Sequence, residues 1–390
     1  MKKEKICVFR MNTKIIYGHN AIENISTYIR ELKGTNVLIV TDQGVKKAGI
    51  VKRLVRLLEE ENINYTIYDE VVANPPIQVV EKGVELAKET SIDLIITIGG
   101  GSSIDVGKGI NILLTNGGDI KDYTGIEKVG QPTLPLIAIP TTCGTGSEVT
   151  WSTVITDPKE QFKFAVLSSQ NIPEVAIIDP TIMISLPPKL IASTGMDALT
   201  HAIEAYVSVK AQPFSDALAI YAIDLISSNL RKAVFYQDNL EYVGKMAIAS
   251  TMAGAAFTNG FLGLVHAMSH TLGGVFDIPH GIANAILLPY VMKFNMIAAP
   301  CKFAKIAEVM GENIKGLNML EAAEKSLNAV VKLSTDIGIP NNLKEVGMDP
   351  GMIEKLAADS MRSGNVLTNP RKNTIDDIKT LFRKAYEGKL

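Results

Sequence analysis

DLIITIGGGSSID, residues 93–105, joins a run of strand-forming residues to a helix through three consecutive glycines. An apolar run with almost no polar alternation describes a strand covered on both faces. The glycines allow close backbone approach, and the helix opening behind them offers free N–H groups to an anion. Open α/β sheets take ligands at such turns, beyond the carboxyl ends of parallel strands. The usual dinucleotide fingerprint is incomplete here. Gly99 and Gly101 are in place, but Ile104 stands where the third glycine belongs. The acid for the ribose hydroxyls is displaced as well: Asp42 ends an earlier strand instead of following about 20 residues downstream.

On the N-terminal side, NVLIVTD (Asn36–Asp42) reads as a buried strand and residues 45–61 as an amphipathic helix. A strand over 64–69 and a helix over 77–89 lead into the glycine turn. Beyond it come a helix over 103–113, a strand over 134–139, and further strands over 150–156, 162–166 and 175–178. Strands alternating with helices indicate a parallel sheet with helices on both faces. After SLPP, residues 185–188, the pattern changes to Ala-, Leu- and Met-rich segments without strand character, which read as packed helices. The double proline divides the chain into an α/β domain over 1–186, with a Rossmann-like parallel sheet, and an all-α domain over 187–390. At 390 residues and 46% hydrophobic composition, each is expected to have its own core.

A net charge of −2 with Lys and Arg spread along the chain argues against a nucleic-acid or membrane-surface role. The longest uninterrupted apolar stretches are of strand length. The start, MKKEKICVFRMNTK, is basic but has no apolar segment behind it, so it does not read as a signal peptide. Three widely spaced cysteines make neither a disulfide framework nor a thiolate metal site. The expected setting is cytoplasmic.

A second small, polar turn, PTTCGTGSEVT (residues 140–150), follows the strand over 134–139. Its hydroxyls on Thr141, Thr142, Thr145 and Ser147 and its two glycines suit the same crevice as the first turn. Cys143 has no histidine nearby in sequence to activate it and reads as a packing residue.

Four of the five histidines lie in the helical half. Asp197 and His201, in GMDALTHAIEAY, share a helix face at i, i+4, and His266 and His270, in LVHAMSHTLGG, repeat the spacing. His280 sits at a loop-to-helix junction in DIPHGIAN. One carboxylate with three imidazoles suits Fe²⁺ or Zn²⁺ better than Ca²⁺ or Mg²⁺. Spacing does not decide which three histidines take part. Glu204, one turn beyond His201, reads either as a support for the metal ligands or as an ordinary acid.

GGGSSID, PTTCGTGSEVT, GMDALTHAIEAY and the blocks around His266 and His280, in this order, resemble the iron-containing alcohol dehydrogenase family. The resemblance extends from Asp42 to TNPR (residues 368–371), and its last block is closest to the 1,3-propanediol dehydrogenase and lactaldehyde reductase-like members. It implies a dehydroquinate synthase-like fold, with a nucleotide domain followed by a metal-binding, catalytic helical domain. The implied metal ligands are Asp197, His201, His266 and His280, leaving His270 near the nicotinamide as a proton relay or a spectator. The implied NAD contacts are Asp42, Gly99, Gly100, Gly101, Ser102, Asp105, Thr141, Thr142, Ser147 and Lys163. Phe257 falls on a substrate-lining position, and Trp151 and Ser152 stand where many relatives differ. Ser103 replaces a proline common in the first motif.

The resemblance implies hydride transfer between NAD(H) and a short primary alcohol or its aldehyde, with Fe²⁺, or alternatively Zn²⁺, polarising the substrate oxygen. It also implies a homodimer or larger homo-oligomer with no macromolecular partner. The alternatives are a reductase of a charged small aldehyde, such as sulfo- or phosphonoacetaldehyde, and a metal- and NAD-dependent cyclase like the dehydroquinate synthases. A cyclase needs a basic pocket, and the sequence around Asp197 and His266 supplies almost no Lys or Arg.

Overall fold

Chain order begins with β1 (Lys14–Tyr17), α1 (Ile25–Glu31), β2 (Asn36–Asp42), α2 (Gln43–Lys47), α3 (Ile50–Glu60), β3 (Asn64–Val71), α4 (Ile77–Thr90), β4 (Leu94–Gly99) and α5 (Gly101–Asn116). Next come β5 (Gly125–Ile126), β6 (Leu136–Pro140), β7 (Ser152–Asp157), β8 (Phe162–Leu167) and β9 (Val175–Ile178). The helical half holds α6 (Pro188–Val207), α7 (Pro213–Phe235), α8 (Leu240–Gly260), α9 (Leu264–Phe276), α10 (His280–Asn295), α11 (Pro300–Val309), α12 (Met319–Asp336), α13 (Ile353–Met361) and α14 (Ile375–Glu387). This computed structural model describes residues 6–390, so the reading of residues 1–5 as part of a non-signal start lies outside the described residues.

Six parallel strands form the main sheet in the order β1-β9-β6-β4-β2-β3. The chain runs outward from β2 to β3, then returns to the other side of β2 and continues through β4, β6 and β9. The direction reverses between β2 and β4, and this switch point is where such sheets open a crevice for ligands. Asp42 and Gly99 end those two neighbouring strands. The displaced acid is thereby explained: it stands beside the glycine turn because β2 and β4 pair.

Several elements differ from the sequence reading. The helix expected over 45–61 is two helices, broken where Gly49 takes a left-handed φ of 80°. β1 went unread; four residues with mixed burial carry too little periodicity to stand out. β7 and β8 pair antiparallel and, with β5, form a separate three-stranded sheet. Among the described residues no strand follows Pro188.

The expected separate cores are found only in part. One face of the sheet, against α4 and α5, has its own cluster around Val80, Val106 and Ile110. On the other face a single cluster runs from Leu54 and Ile96 through Met196 and Leu230 to Phe382. The helical half therefore shares a core with the sheet.

The segment His280–Ala298 is long and apolar enough to cross a membrane by composition, with a mean hydropathy of 1.3, although the sequence reading noticed no such stretch. It is 72% buried within the protein and packs against α6, α9, α12 and α14, as a core helix does. Taken together, α8 and α9 also pass that test, but they meet at a 108° bend.

Candidate active site

The glycine turn is shaped first by its own protein. A Cβ on Gly99 would come within 2.3 Å of the Ser103 hydroxyl, and one on Gly101 within 2.7 Å of Thr145. The two small-residue turns touch here, and Thr141 N–H donates to the Gly99 carbonyl at 2.9 Å. Asp42 divides its carboxylate. Oδ1 accepts from Gly44 and Val45 N–H at 2.8 and 3.0 Å, capping α2, while Oδ2 faces Ser103 at 3.3 Å.

Asp105 points back into the protein, where it accepts from the Ser147 hydroxyl at 2.7 Å and Val154 N–H at 3.1 Å. One turn along α5, Lys108 is fully buried. Its Nζ donates to the carbonyls of Ser147, Thr150 and Ser152 at 2.8, 2.8 and 3.0 Å. Burial pushes this ammonium down to about 8, with Asp105 and Glu148 opposing. The helix that presents its N-terminus to the crevice thus also holds the end of the second turn and its passage into β7. Sequence reasoning missed Lys108, although a lysine in an otherwise apolar helix face was a usable signal. Lys108→Met is expected to leave three buried carbonyls without this donor and to cost about 3 kcal/mol or more. Thermal unfolding measures it; an unchanged melting temperature contradicts the assignment.

Lys163 is buried and donates to Asn74 Oδ1 at 2.6 Å, while Asn74 in turn donates to Asp277, at the C-terminal cap of α9. Burial pushes Lys163 down to about 8, and Asp277, Asp197 and Asp105 oppose this. Cys143 is buried against Met183, and burial pushes its thiol up to about 12, as a packing residue's would be.

Three helices build the candidate metal centre. Asp197 and His201 come from α6, His266 from the first turn of α9, and His280 from the start of α10. One ligand atom from each lies within 4.8 Å of all the others. Asp197 Oδ1 is 3.8 Å from His201 Nε2, 3.8 Å from His266 Nε2 and 3.7 Å from His280 Nε2. Ligands about 2.1 Å from a shared tetrahedral centre stand about 3.4 Å apart, so the three distances from Asp197 are within a few tenths of an ångström of that spacing. Asn284 Nδ2 touches three of the four atoms, at 2.6 Å from Asp197 Oδ1 and 3.1 Å from Nε2 of both His266 and His280. These atoms therefore aim at one spot, and the donor set fits a divalent transition ion. Asn284 was also missed, although it lies one helical turn from His280.

The free ring atoms are arranged to keep Nε2 available. His266 Nδ1 meets Glu204 Oε2 at 2.6 Å, and the other Glu204 oxygen accepts from Val265 N–H at 2.7 Å, at the N-terminus of α9. Of the two readings of Glu204, the support for a ligand is the one its geometry shows. Burial lifts its carboxyl to about 7, opposed by backbone donors at Gly263, Val265 and His266. His201 Nδ1 lies 3.3 Å from the Gly144 carbonyl, which connects the cluster directly to the second small-residue turn. Burial first, and neighbouring imidazoles second, pushes His266, His270 and His280 well below the usual histidine range. Neutral rings are what metal binding requires.

His270 stands beside the cluster, its ring 5.2 Å from that of His280 and 5.9 Å from that of His266. Phe257 packs at a tilt against His201 with centroids 4.6 Å apart. Trp151 packs edge-on against Phe261 at 5.8 Å, and the Ser152 hydroxyl pairs with that of Thr150.

A switch-point crevice abutting a buried cluster of one carboxylate and three imidazoles is the layout of a metal-dependent oxidoreductase that works beside a nucleotide. Known proteins narrow this class. Residues 12–180 match the model described as iron-containing alcohol dehydrogenase, and residues 191–386 the C-terminal model of the Fe-containing alcohol dehydrogenase family. The chain is 46% identical over 372 residues to 1,3-propanediol dehydrogenase of Klebsiella pneumoniae, covering 95% of this chain and 96% of that one. It is 40% identical over 370 residues to the NAD-dependent methanol dehydrogenase of Bacillus methanolicus, covering 95% and 97%. A solved 1,3-propanediol oxidoreductase superposes with a TM-score of 0.95 at 45% identity, covering 98% of this chain and all of that one. The chain belongs to the iron-containing alcohol dehydrogenase family.

Proposed function

We propose that this protein moves hydride between NAD(H) and a short, unbranched primary alcohol or diol and its aldehyde, at a site divided between the α/β region before residue 186 and the helices after it. The contact of His201 with the Gly144 carbonyl carries the reading, because it brings the metal cluster against a turn of the nucleotide crevice. A divalent iron held by Asp197, His201, His266 and His280 supplies a Lewis acid for the substrate oxygen, and Zn²⁺ suits the same donors.

The chain's own residues do the rest. Glu204 and the Gly144 carbonyl hold the Nδ1 protons of His266 and His201, so both rings turn Nε2 inward. The N-terminus of α5 offers N–H groups to the cofactor's phosphates, beside Gly100, Ser102, Thr141, Thr142 and Ser147. Asp42 Oδ2, which accepts from Ser103 at the glycine turn, takes the adenosine ribose, and Lys163, Asn74 and Asp277 link the two sides of the cleft. His270, neutral and next to the cluster, is placed to pass the alcohol's proton toward solvent. Phe257, Trp151 and Ser152 bound the substrate's carbon chain and exclude water.

We also propose a cytoplasmic homo-oligomer. Supporting it are the near-neutral charge and apolar side chains left bare on the monomer, such as Ile6 and Phe214 at 93% and 66% exposure.

Steady-state turnover of chelated and Fe²⁺-reloaded protein with NAD tests the reading, across primary, secondary and ω-charged substrates. Ethanol, propanol and propanediol are expected to exceed secondary alcohols at least about tenfold in kcat/KM, and only after reloading. Preference for sulfo- or phosphonoacetaldehyde moves the assignment to the charged-aldehyde reductases. No turnover of any alcohol or aldehyde removes it.

A further inference from the structure

Nine described residues other than glycine have positive φ, and eight of them are polar: Asn, Lys, Ser, Glu, Gln or Asp. The ninth is Phe261, with φ 62° and ψ 170°. That combination is populated almost solely by glycine and strains a residue that carries a side chain. Phe261 forms the 108° corner between α8 and α9, and its N–H donates to the Phe257 carbonyl at 2.7 Å.

Glycines stand on both sides of it. Gly260 is needed for space, since a Cβ there would lie 2.9 Å from the Ala205 carbonyl. Gly263 is needed likewise, its Cβ position being 2.9 Å from Glu204 Oε1. The conformation that calls for glycine nevertheless falls on the phenylalanine between them. A strained aromatic in a corner rich in glycine indicates that the ring itself is required.

The ring meets Trp151, which belongs to the loop that Lys108 anchors on the α/β side of the cleft. One turn back along α8, Phe257 lies on the ring of His201. Phe261 and Trp151 therefore meet from opposite sides of the cleft, one helical turn from the ring that contacts the metal cluster. Resting on the function proposed above, we propose that Phe261 is a specificity-determining residue: with Trp151 it forms the far wall of the substrate pocket and limits the carbon chain that fits.

The test compares Phe261→Gly, Phe261→Ala and Trp151→Ala with the parent, each loaded with Fe²⁺. It reads metal content, melting temperature and kcat/KM for 1-hexanol and 1-propanol. All three variants are expected to keep the parent's metal content and to raise the hexanol-to-propanol ratio about tenfold or more. Glycine at 261 is expected to melt above alanine, reversing their usual order, because it alone relieves the backbone. Ratios within twofold of a parent that oxidises propanol overturn this assignment and leave the reaction standing. So does alanine melting above glycine, because the ring is then not held against strain. A parent that oxidises neither alcohol overturns the functional reading and this inference together.

Discussion

His266→Ala is expected to lose its metal and nearly all turnover, whereas His270→Ala keeps the metal. The i, i+4 pair looks equivalent along the sequence, but the two rings have different surroundings. His266 directs Nε2 at Asp197 Oδ1 from 3.8 Å and has Nδ1 on Glu204, while His270 is outside the convergent set. Removing the His266 ring deletes a ligand and also takes from buried Glu204 the side-chain partner of its Oε2. Losing an outer partner of a ligand costs about 10–100-fold in metal affinity, the effect expected for Glu204→Gln; losing the ligand costs more. His280→Ala is expected to follow His266→Ala. Elemental analysis after gel filtration measures the metal. The rise in melting temperature on adding Fe²⁺ or Zn²⁺ gives an independent reading, since a ligand that binds only the folded state stabilises it. Metal retained by His266→Ala and lost by His270→Ala reverses the assignment.

Asp42→Ser is expected to raise KM for NAD, lower KM for NADP and barely change stability. Asp42 caps α2 through Oδ1, while Oδ2 accepts from the Ser103 hydroxyl beside the glycine turn. Serine keeps the cap, so this substitution isolates the cofactor effect, whereas Asp42→Ala also costs about 1 kcal/mol of cap. In the parent, the 2′-phosphate of NADP would bring nearly two negative charges toward Oδ2. Two unit charges about 4 Å apart repel by about 4 kcal/mol in a partly screened site. Half of that still gives NAD an advantage above about tenfold, since 1.4 kcal/mol is a factor of ten. An unchanged NAD-to-NADP ratio in Asp42→Ser, with full stability, leaves Asp42 as a helix cap and nothing more.

The sequence alone determined the alternating strands and helices, the change to helices after the double proline, and the two small-residue turns. Each is written within about 20 consecutive residues, where hydrophobic period, glycine and proline act locally. It also placed Asp197 beside His201, because i, i+4 on a helix is a local distance. Its failures are of two kinds. Local signals were too short for β1 or too smooth at Gly49, so a strand was missed and a broken helix was read as one. The rest were matters of pairing between distant segments. Asp42 reaches the glycine turn only because β2 pairs with β4, across 57 residues between Asp42 and Gly99. Glu204 supports His266 from 62 residues away, and Lys108 anchors a loop 39 to 44 residues further on. Spacing alone left His266 and His270 equivalent, and the family resemblance separated them as the cluster now does; finding the strained ring of Phe261 against Trp151 needed whole helices docked at fixed angles. Close packing of those helices decides these distances, and packing depends on every residue at an interface at once, which no local period records.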